Sequence, residues 1–361
     1  MRLRRILPAL LAALLGVGAG LAATAPAQAA TPDRWAFAFM DKPLPPAGHV
    51  MDLARQWKSD NVQNSTVSPL VIGRYRVVFP NIASANGVAH VTAVAGDPRW
   101  CQVWNYYPSG ADQIVEVQCY KYTGAVVTMD WSAFTVMYST SSGLLPGPGT
   151  YAYLQGKSTG GTVTSYNPVG GVNTSVHLGL GTGTYRVFLP GVGGSALAGN
   201  LQVTAQHGNS PRRCKVDTWQ VTPNGVDVVV RCYDHTGAPA DSWFDLTYHR
   251  ERSVYGARNL PDHFAYLWTP GWPGTASYNS VGSVNHLAPA GAGLHYIEFH
   301  KVGVKEGHVQ VTGYKGGNEY CNLQNVWTLS GSVVLVRNVI CWKASGSPAS
   351  PQSFVSYSSR A

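Results

Sequence analysis

The sequence predicts an all-β protein of three tandem antiparallel sandwich or barrel-like repeats of about 110 residues, on three observations. Short blocks recur three times in one order; apolar residues alternate with period two inside them; and six cysteines fall two to a repeat. Composition agrees. The chain has 361 residues, 45% hydrophobic and 12% charged, with 40 Gly and 23 Pro. Ample apolar content with little charge excludes a disordered chain, and so many turn formers exclude a coiled coil or collagen-like rod.

Gly73-Arg-Tyr75-Arg-Val77-Val-Phe79-Pro80 returns as Gly183-Thr-Tyr185-Arg-Val187-Phe-Leu189-Pro190, and more loosely as Gly293-Leu-His295-Tyr-Ile297-Glu-Phe299-His300. The step from Tyr75 to Tyr185, and from Tyr185 to His295, is 110 residues. Phe37-Ala-Phe39 aligns with Tyr151-Ala-Tyr153 and Phe264-Ala-Tyr266, and His90-Val-Thr92 with Gln202-Val-Thr204 and Gln310-Val-Thr312. Ser132-Ala-Phe134 aligns with Ser242-Trp-Phe244 and Gln352-Ser353-Phe354. A period of this length suits a small β unit rather than a solenoid turn. Gly/Pro/Ser-rich stretches set the expected boundaries: repeat 1 over 30–142, repeat 2 over 143–252, repeat 3 over 253–361.

Within repeat 1, Tyr75, Val77 and Phe79 alternate with Arg74, Arg76 and Val78, the signature of a half-buried strand. Seven strands are expected, near 36–40, 62–70, 74–79, 88–95, 100–107, 113–121 and 132–139, with at most a helical turn or two at Met51–Trp57. A single β-propeller with several blades per repeat is the alternative.

Cys101 and Cys119 are 18 residues apart, Cys214 and Cys232 also 18, and Cys321 and Cys341 20. A turn lies near the middle of each interval: Pro108-Ser-Gly110, Pro223-Asn-Gly225 and Ser330-Gly331. Folding each interval as a hairpin places its cysteines opposite one another, so one disulfide per repeat is expected. In the chain-entropy picture a loop of this size contributes about 3 kcal/mol. No CxxC pair and no finger-spaced histidine suggests zinc. The longer third interval, with Leu335–Ile340 out of alternation, predicts a bulge.

Residues 1–29 read as a secretory signal peptide: Arg2, Arg4 and Arg5, an apolar run, then Ala27-Gln28-Ala29. No later stretch is apolar enough to span a membrane. The expected location is therefore extracellular. Formal charge is +8, but it is spread thinly, with Arg212, Arg213 and Lys215 the densest basic spot, so nucleic acid is not an expected partner.

Catalytic signals are weak. Gly156-Lys157-Ser158-Thr159-Gly160 matches a nucleophile elbow, but no helix is expected to follow Ser158. Asp130 and Asp241 read as turn residues. Glu298 and His300 share a strand face like two metal ligands, but without an obvious third; a solvated face is the plainer reading, and no metal or cofactor is assigned. Aromatic residues offer more. Trp268 and Trp272 lie in a Gly/Pro-rich loop of repeat 3, and Trp57 is a further candidate for stacking on a sugar or anchoring a partner protein.

The blocks Pro45-Pro46-Ala-Gly48, Gly73-Arg-Tyr75-Arg-Val77 and Gly87-Val-Ala-His90-Val-Thr92-Ala, with paired cysteines and an Ala/Arg-rich leader, resemble secreted actinobacterial three-repeat β proteins of unknown function. That resemblance spans 33–361 and implies no activity. The leading expectation is a secreted, non-catalytic binding protein for an extracellular glycan or protein. A protease inhibitor or modulator using Arg212-Arg213 or the 268–274 loop is one alternative, and an extracellular polysaccharide or ester hydrolase the other. Peptide mapping without reductant is expected to find Cys101–Cys119, Cys214–Cys232 and Cys321–Cys341; a link between different repeats, or free thiols, would contradict the repeat reading.

Overall fold

The computed structural model describes residues 33–60, 62–124, 126–145, 148–208, 210–256, 262–269, 277–291, 293–350 and 352–361. Every regular element among them is a strand. The seven strands expected in repeat 1 are present, with limits shifted by up to four residues and the second starting at Thr66 instead of 62, and with three short additions at His49–Val50, Gln56–Lys58 and Val127–Met129. Met51–Trp57 turns and enters the short strand Gln56–Lys58 instead of forming a helical turn.

Each repeat divides its strands between two half-sheets facing each other. In repeat 1 one half holds Gln56–Lys58, Arg34–Met40, Ala133–Thr140 and Val88–Val94; the other holds Arg99–Ser109, Asp112–Tyr122, Arg74–Phe79 and Thr66–Val71. Alternation fills the space between them: Ala36, Ala38 and Met40 from one half meet Tyr75, Val77, Val115 and Val117 from the other, all buried. A buried side chain of this size is worth about 1.5–3 kcal/mol of transfer free energy. Register puts Cys101 opposite Cys119, Cys214 opposite Cys232 and Cys321 opposite Cys341, and all three pairs are bonded. In repeat 3 the register slips by one residue between Val336 and Val339, the bulge that the longer cysteine interval implied.

Pairing also corrects two alignments. Trp35, Tyr151 and Phe264 face Ser139, His249 and Ser358, so the block equivalent to Tyr151-Ala-Tyr153 is Trp35-Ala-Phe37, two residues earlier. Phe354 sits one position past Phe134 and Phe244; Ser353 is their equivalent, because Tyr138, Tyr248 and Tyr357 pair with Ala36, Ala152 and Ala265. The slip turns Phe354 to the opposite face, against Trp219 and Trp268.

The three repeats are not beads on a string. Each of the three sheets joins half of one repeat to half of the next, and none closes into a barrel or propeller. The junctions are single parallel contacts: Val103 beside Gln206, Val216 beside Tyr314, and Leu323 beside Val94. At each, one backbone hydrogen bond repeats, from His207 N to Val103 O (3.1 Å), Lys315 N to Val216 O (2.9 Å) and Ala95 N to Leu323 O (2.8 Å). Repeat 1 thus joins 2, 2 joins 3, and 3 returns to 1.

The residue after each first cysteine latches the same junction. Gln102 Nε2 donates to His207 O (2.5 Å), Lys215 Nζ to Gly317 O (3.1 Å) and Asn322 Nδ2 to Ala95 O (2.8 Å). The residue before it also recurs: the buried Arg213 guanidinium lies 4.8 Å from the Trp100 ring and 4.5 Å from the Tyr320 ring. Desolvated cation–π contacts of this kind contribute about 1–2 kcal/mol.

The axial strands Val88–Val94, Asn200–Gln206 and Gly307–Tyr314 send Ala89, Val91 and their equivalents into the repeat cores, and polar residues toward one another. Thr92 Oγ1 donates to Gln310 Oε1 (2.5 Å), Thr312 Oγ1 to Gln202 Oε1 (2.9 Å), and Thr204 Oγ1 meets His90 Nδ1 (3.0 Å). One bond thus recurs around the ring. Leaving one of these groups buried and unpaired costs about 1–3 kcal/mol.

Three fully buried histidines share this interior. Burial, aided by the charge of His249, lowers the pKa of His90 to about 3; burial lowers that of His249 to about 4, and burial with the His90 charge depresses His308. The unfolded chain therefore takes up protons that the folded chain refuses. These groups stabilise fully above about pH 6.5 and lose their contribution as pH falls below it. Asp245, raised well above the ordinary carboxyl value by burial, opposes this. The unfolding free energy from urea titration is expected to drop between pH 7 and pH 4.5, by roughly 1–3 kcal/mol per pH unit; an unchanged value would contradict neutral burial.

Candidate functional site

Three clefts occupy equivalent places, where an axial strand ends beside the start of the last strand of its repeat. In repeat 1, Ala95, Asp97, Arg99, Trp131 and Ser132 line about 410 Å³. At the junction of repeats 1 and 2, Trp104, Ser158, Gln206, His207 and Trp243 line about 330 Å³. In repeat 3, Tyr314, Lys315, Glu319, Lys343 and Gln352 line about 390 Å³. The equivalence follows from register, since Ala95, His207 and Lys315 each follow an axial strand and donate the junction hydrogen bond. A smaller cavity of about 50 Å³, where Cys101, Cys214 and Cys321 meet, is too small for an organic ligand.

Each cleft carries an aromatic ring and a different polar set. The middle one holds two indoles. Trp104 is the extra residue of a bulge, since Val103 pairs with Val117 and Asn105 with Glu116, and bulges re-aim a side chain. Its Nε1 donates to Gly208 O, and the Arg74 guanidinium covers one ring face at 3.4 Å. Trp243 stands on the outward phase of Trp243–Arg250 and is 37% exposed, whereas Phe244 beside it is fully buried. The His207 imidazole is held below its ordinary pKa by burial and then by the Arg212 charge, so it is neutral at pH 7. In the first cleft, burial pushes the Asp97 carboxyl up, but hydrogen bonds from Arg99 and Lys121 outweigh it and leave the pKa below its usual value. Asp97 is therefore an anion fixed by two cations, at 2.6 and 3.0 Å.

The residues singled out from sequence fare differently. Trp268 is not on a loop surface: it is the last residue of Phe264–Trp268, 8% exposed, with ring centroids of Trp219 and Tyr314 at 5.4 Å. Trp272 lies outside the described residues. Trp57 is half-buried beneath the Arg360 guanidinium at 4.7 Å. Arg213 is buried between rings, and Arg212 is half-buried, with Nε donating to Asp241 O (3.2 Å); neither forms an exposed dibasic loop for a protease. Ser158 sits in the turn between Thr150–Gly156 and Thr162–Tyr166, a hairpin instead of the strand-to-helix elbow. Asp241 does turn work, accepting hydrogen bonds from Gly181 N and Gly183 N, both 2.9 Å, and pairing with His177 at 2.8 Å.

Sequence reasoning passed over Trp243, although a tryptophan out of phase with Phe244, Leu246 and Tyr248 is a readable signal. It also left Glu298 and His300 without a third ligand. Hairpin register places His286 directly opposite Glu298, and ligand atoms of His286, Glu298 and His300 lie within 4.8 Å of one another. His300 Nε2 is 3.0 Å from Glu298 Oε2, and the Tyr296 hydroxyl donates to Oε1 at 3.1 Å. His300's hydrogen bond, aided by Tyr296's, lowers the Glu298 pKa.

Trp268→Ala is expected to cost about 3–5 kcal/mol in urea unfolding, as a buried aromatic truncation does, while Trp243→Ala costs under about 1 kcal/mol. Equal losses would contradict the inside and outside assignments. Comparison with protein families, curated proteins and solved structures returns no match, so function rests on the chemistry of these sites.

Proposed function

We propose that this chain is a secreted, non-catalytic binding protein that engages extracellular glycan through equivalent clefts on one rigid ring. The observation that carries the reading is recurrence: the same cleft appears at three register-equivalent positions, each lined by hydrogen-bonding groups, and the middle one presents the exposed Trp243 indole. Flat rings cover sugar C–H faces at low entropic cost, and fixed amides, imidazole and carboxylate orient the hydroxyls. Several weak sites on one frame gain by effective concentration, a gain that an enzyme with one active centre does not need. Three disulfides fit an oxidising compartment, and among the described residues no helix is long and apolar enough to cross a membrane.

A broad glycan array with the mature chain tests this. Binding is expected, stronger on dense than on sparse spots, and Trp243→Ala is expected to weaken it about tenfold or more with little change in unfolding midpoint. Absence of binding at micromolar concentration, or identical binding by the variant, would overturn the assignment to the middle cleft.

A further inference from the structure

Repeat 3 departs from the others at one place in a coordinated way. On the edge hairpin, the position facing the outward residue of the inner strand is Thr66 in repeat 1 and Thr174 in repeat 2, paired with Val78 and Phe188. In repeat 3 the same pair is His286 and Glu298. Two residues along the inner strand, Pro80 and Pro190 give way to His300. Three positions that elsewhere hold threonine, an apolar residue and proline thus hold imidazole, carboxylate and imidazole. Drift would not be expected to put three ligating groups on one patch while leaving the framework intact: Phe79, Leu189 and Phe299, next to these positions, remain buried apolar residues, all at 0% exposure.

We propose that His286, Glu298 and His300 form a binding site for a divalent transition metal of the zinc class, with a coordination position left open toward solvent. The donor set, two imidazoles and a carboxylate, suits zinc and its neighbours and not calcium or magnesium, which favour all-oxygen shells. Ligand atoms at 2.0–2.2 Å from one tetrahedral ion stand about 3.3 Å apart. His300 and Glu298 already meet that spacing at 3.0 Å, and the His286 and His300 ring centroids are 4.8 Å apart, within reach of a side-chain rotation. Exposure of His286 and half-burial of the other two leave room for a fourth ligand from water or from a bound partner. The Tyr296 hydroxyl fixes the second carboxylate oxygen, the outer support that metal-binding carboxylates commonly have. Tyr296 replaces the arginines, Arg76 and Arg186, that repeats 1 and 2 carry at this position. A guanidinium at that position would pair with a carboxylate itself, as Arg76 pairs with Glu116 at 3.0 Å.

The test is titration of the full chain with Zn²⁺ by calorimetry and with Co²⁺ by visible absorption. One equivalent is expected to bind at micromolar affinity or tighter, with Co²⁺ giving the bands of four- or five-coordination. His286→Ala, Glu298→Gln and His300→Ala are each expected to weaken binding at least tenfold, and Tyr296→Phe about tenfold. Combining His286→Thr, Glu298→Val and His300→Pro installs the residues repeat 1 uses at these positions; it should fold with an unchanged melting temperature and bind no metal. Failure of the wild-type chain to bind either ion, or undiminished binding by the folded triple variant, would overturn the site.

Discussion

Closure of the ring is the constraint from which the rest follows. Each repeat ends in two half-sheets, and each half-sheet has an axial edge that must find partners for its backbone groups. The chain supplies them from its neighbours, through three equivalent parallel contacts and the latches of Gln102, Lys215 and Asn322. Because repeat 3 returns to repeat 1, every repeat is joined to both of the others. The same closure explains the polar interior. Axial strands with apolar residues on both faces would resemble any buried strand and could slide; Thr92 with Gln310, Thr312 with Gln202, and Thr204 with His90 satisfy each other only in one register.

Much of this frame was legible in the sequence, and the reasons are local. Period-two alternation and turn residues between paired cysteines are short-range signals, so strands, hairpins and disulfides could be read directly. The bulge between Val336 and Val339 in repeat 3 was visible in its longer cysteine interval. What was not legible depends on which repeat touches which. The sharing of sheets between repeats rests on single contacts such as Leu323 with Val94, more than two hundred residues apart, and no local pattern encodes them. Trp268 was misplaced for a related reason: part of its burial comes from Trp219 of the preceding repeat. Glu298 and His300 were recognised as a pair, but His286 joins them only once the hairpin register is known.

A closed scaffold leaves the rim free to diverge. Tyr75 and Tyr185 keep the same job, each accepting from a serine backbone N–H, Ser132 at 2.8 Å and Ser242 at 3.0 Å. The cleft residues at matching positions differ instead: Ala133 against Trp243 and Gln352, or Ala95 against His207 and Lys315. Constant interior with variable rim is what a multivalent binding protein requires, since the frame fixes spacing while each site tunes its own contacts.

The central claim is that three repeats stand or fall together because each completes its neighbour. Native-state hydrogen exchange on the amides of Val88–Val94, Asn200–Gln206 and Gly307–Tyr314 tests this most directly. Ring closure predicts one common opening free energy for the three axial strands, equal to that of global unfolding. If one strand exchanged through a markedly cheaper opening while the other two stayed protected, the repeats would be separate units and the account would be wrong.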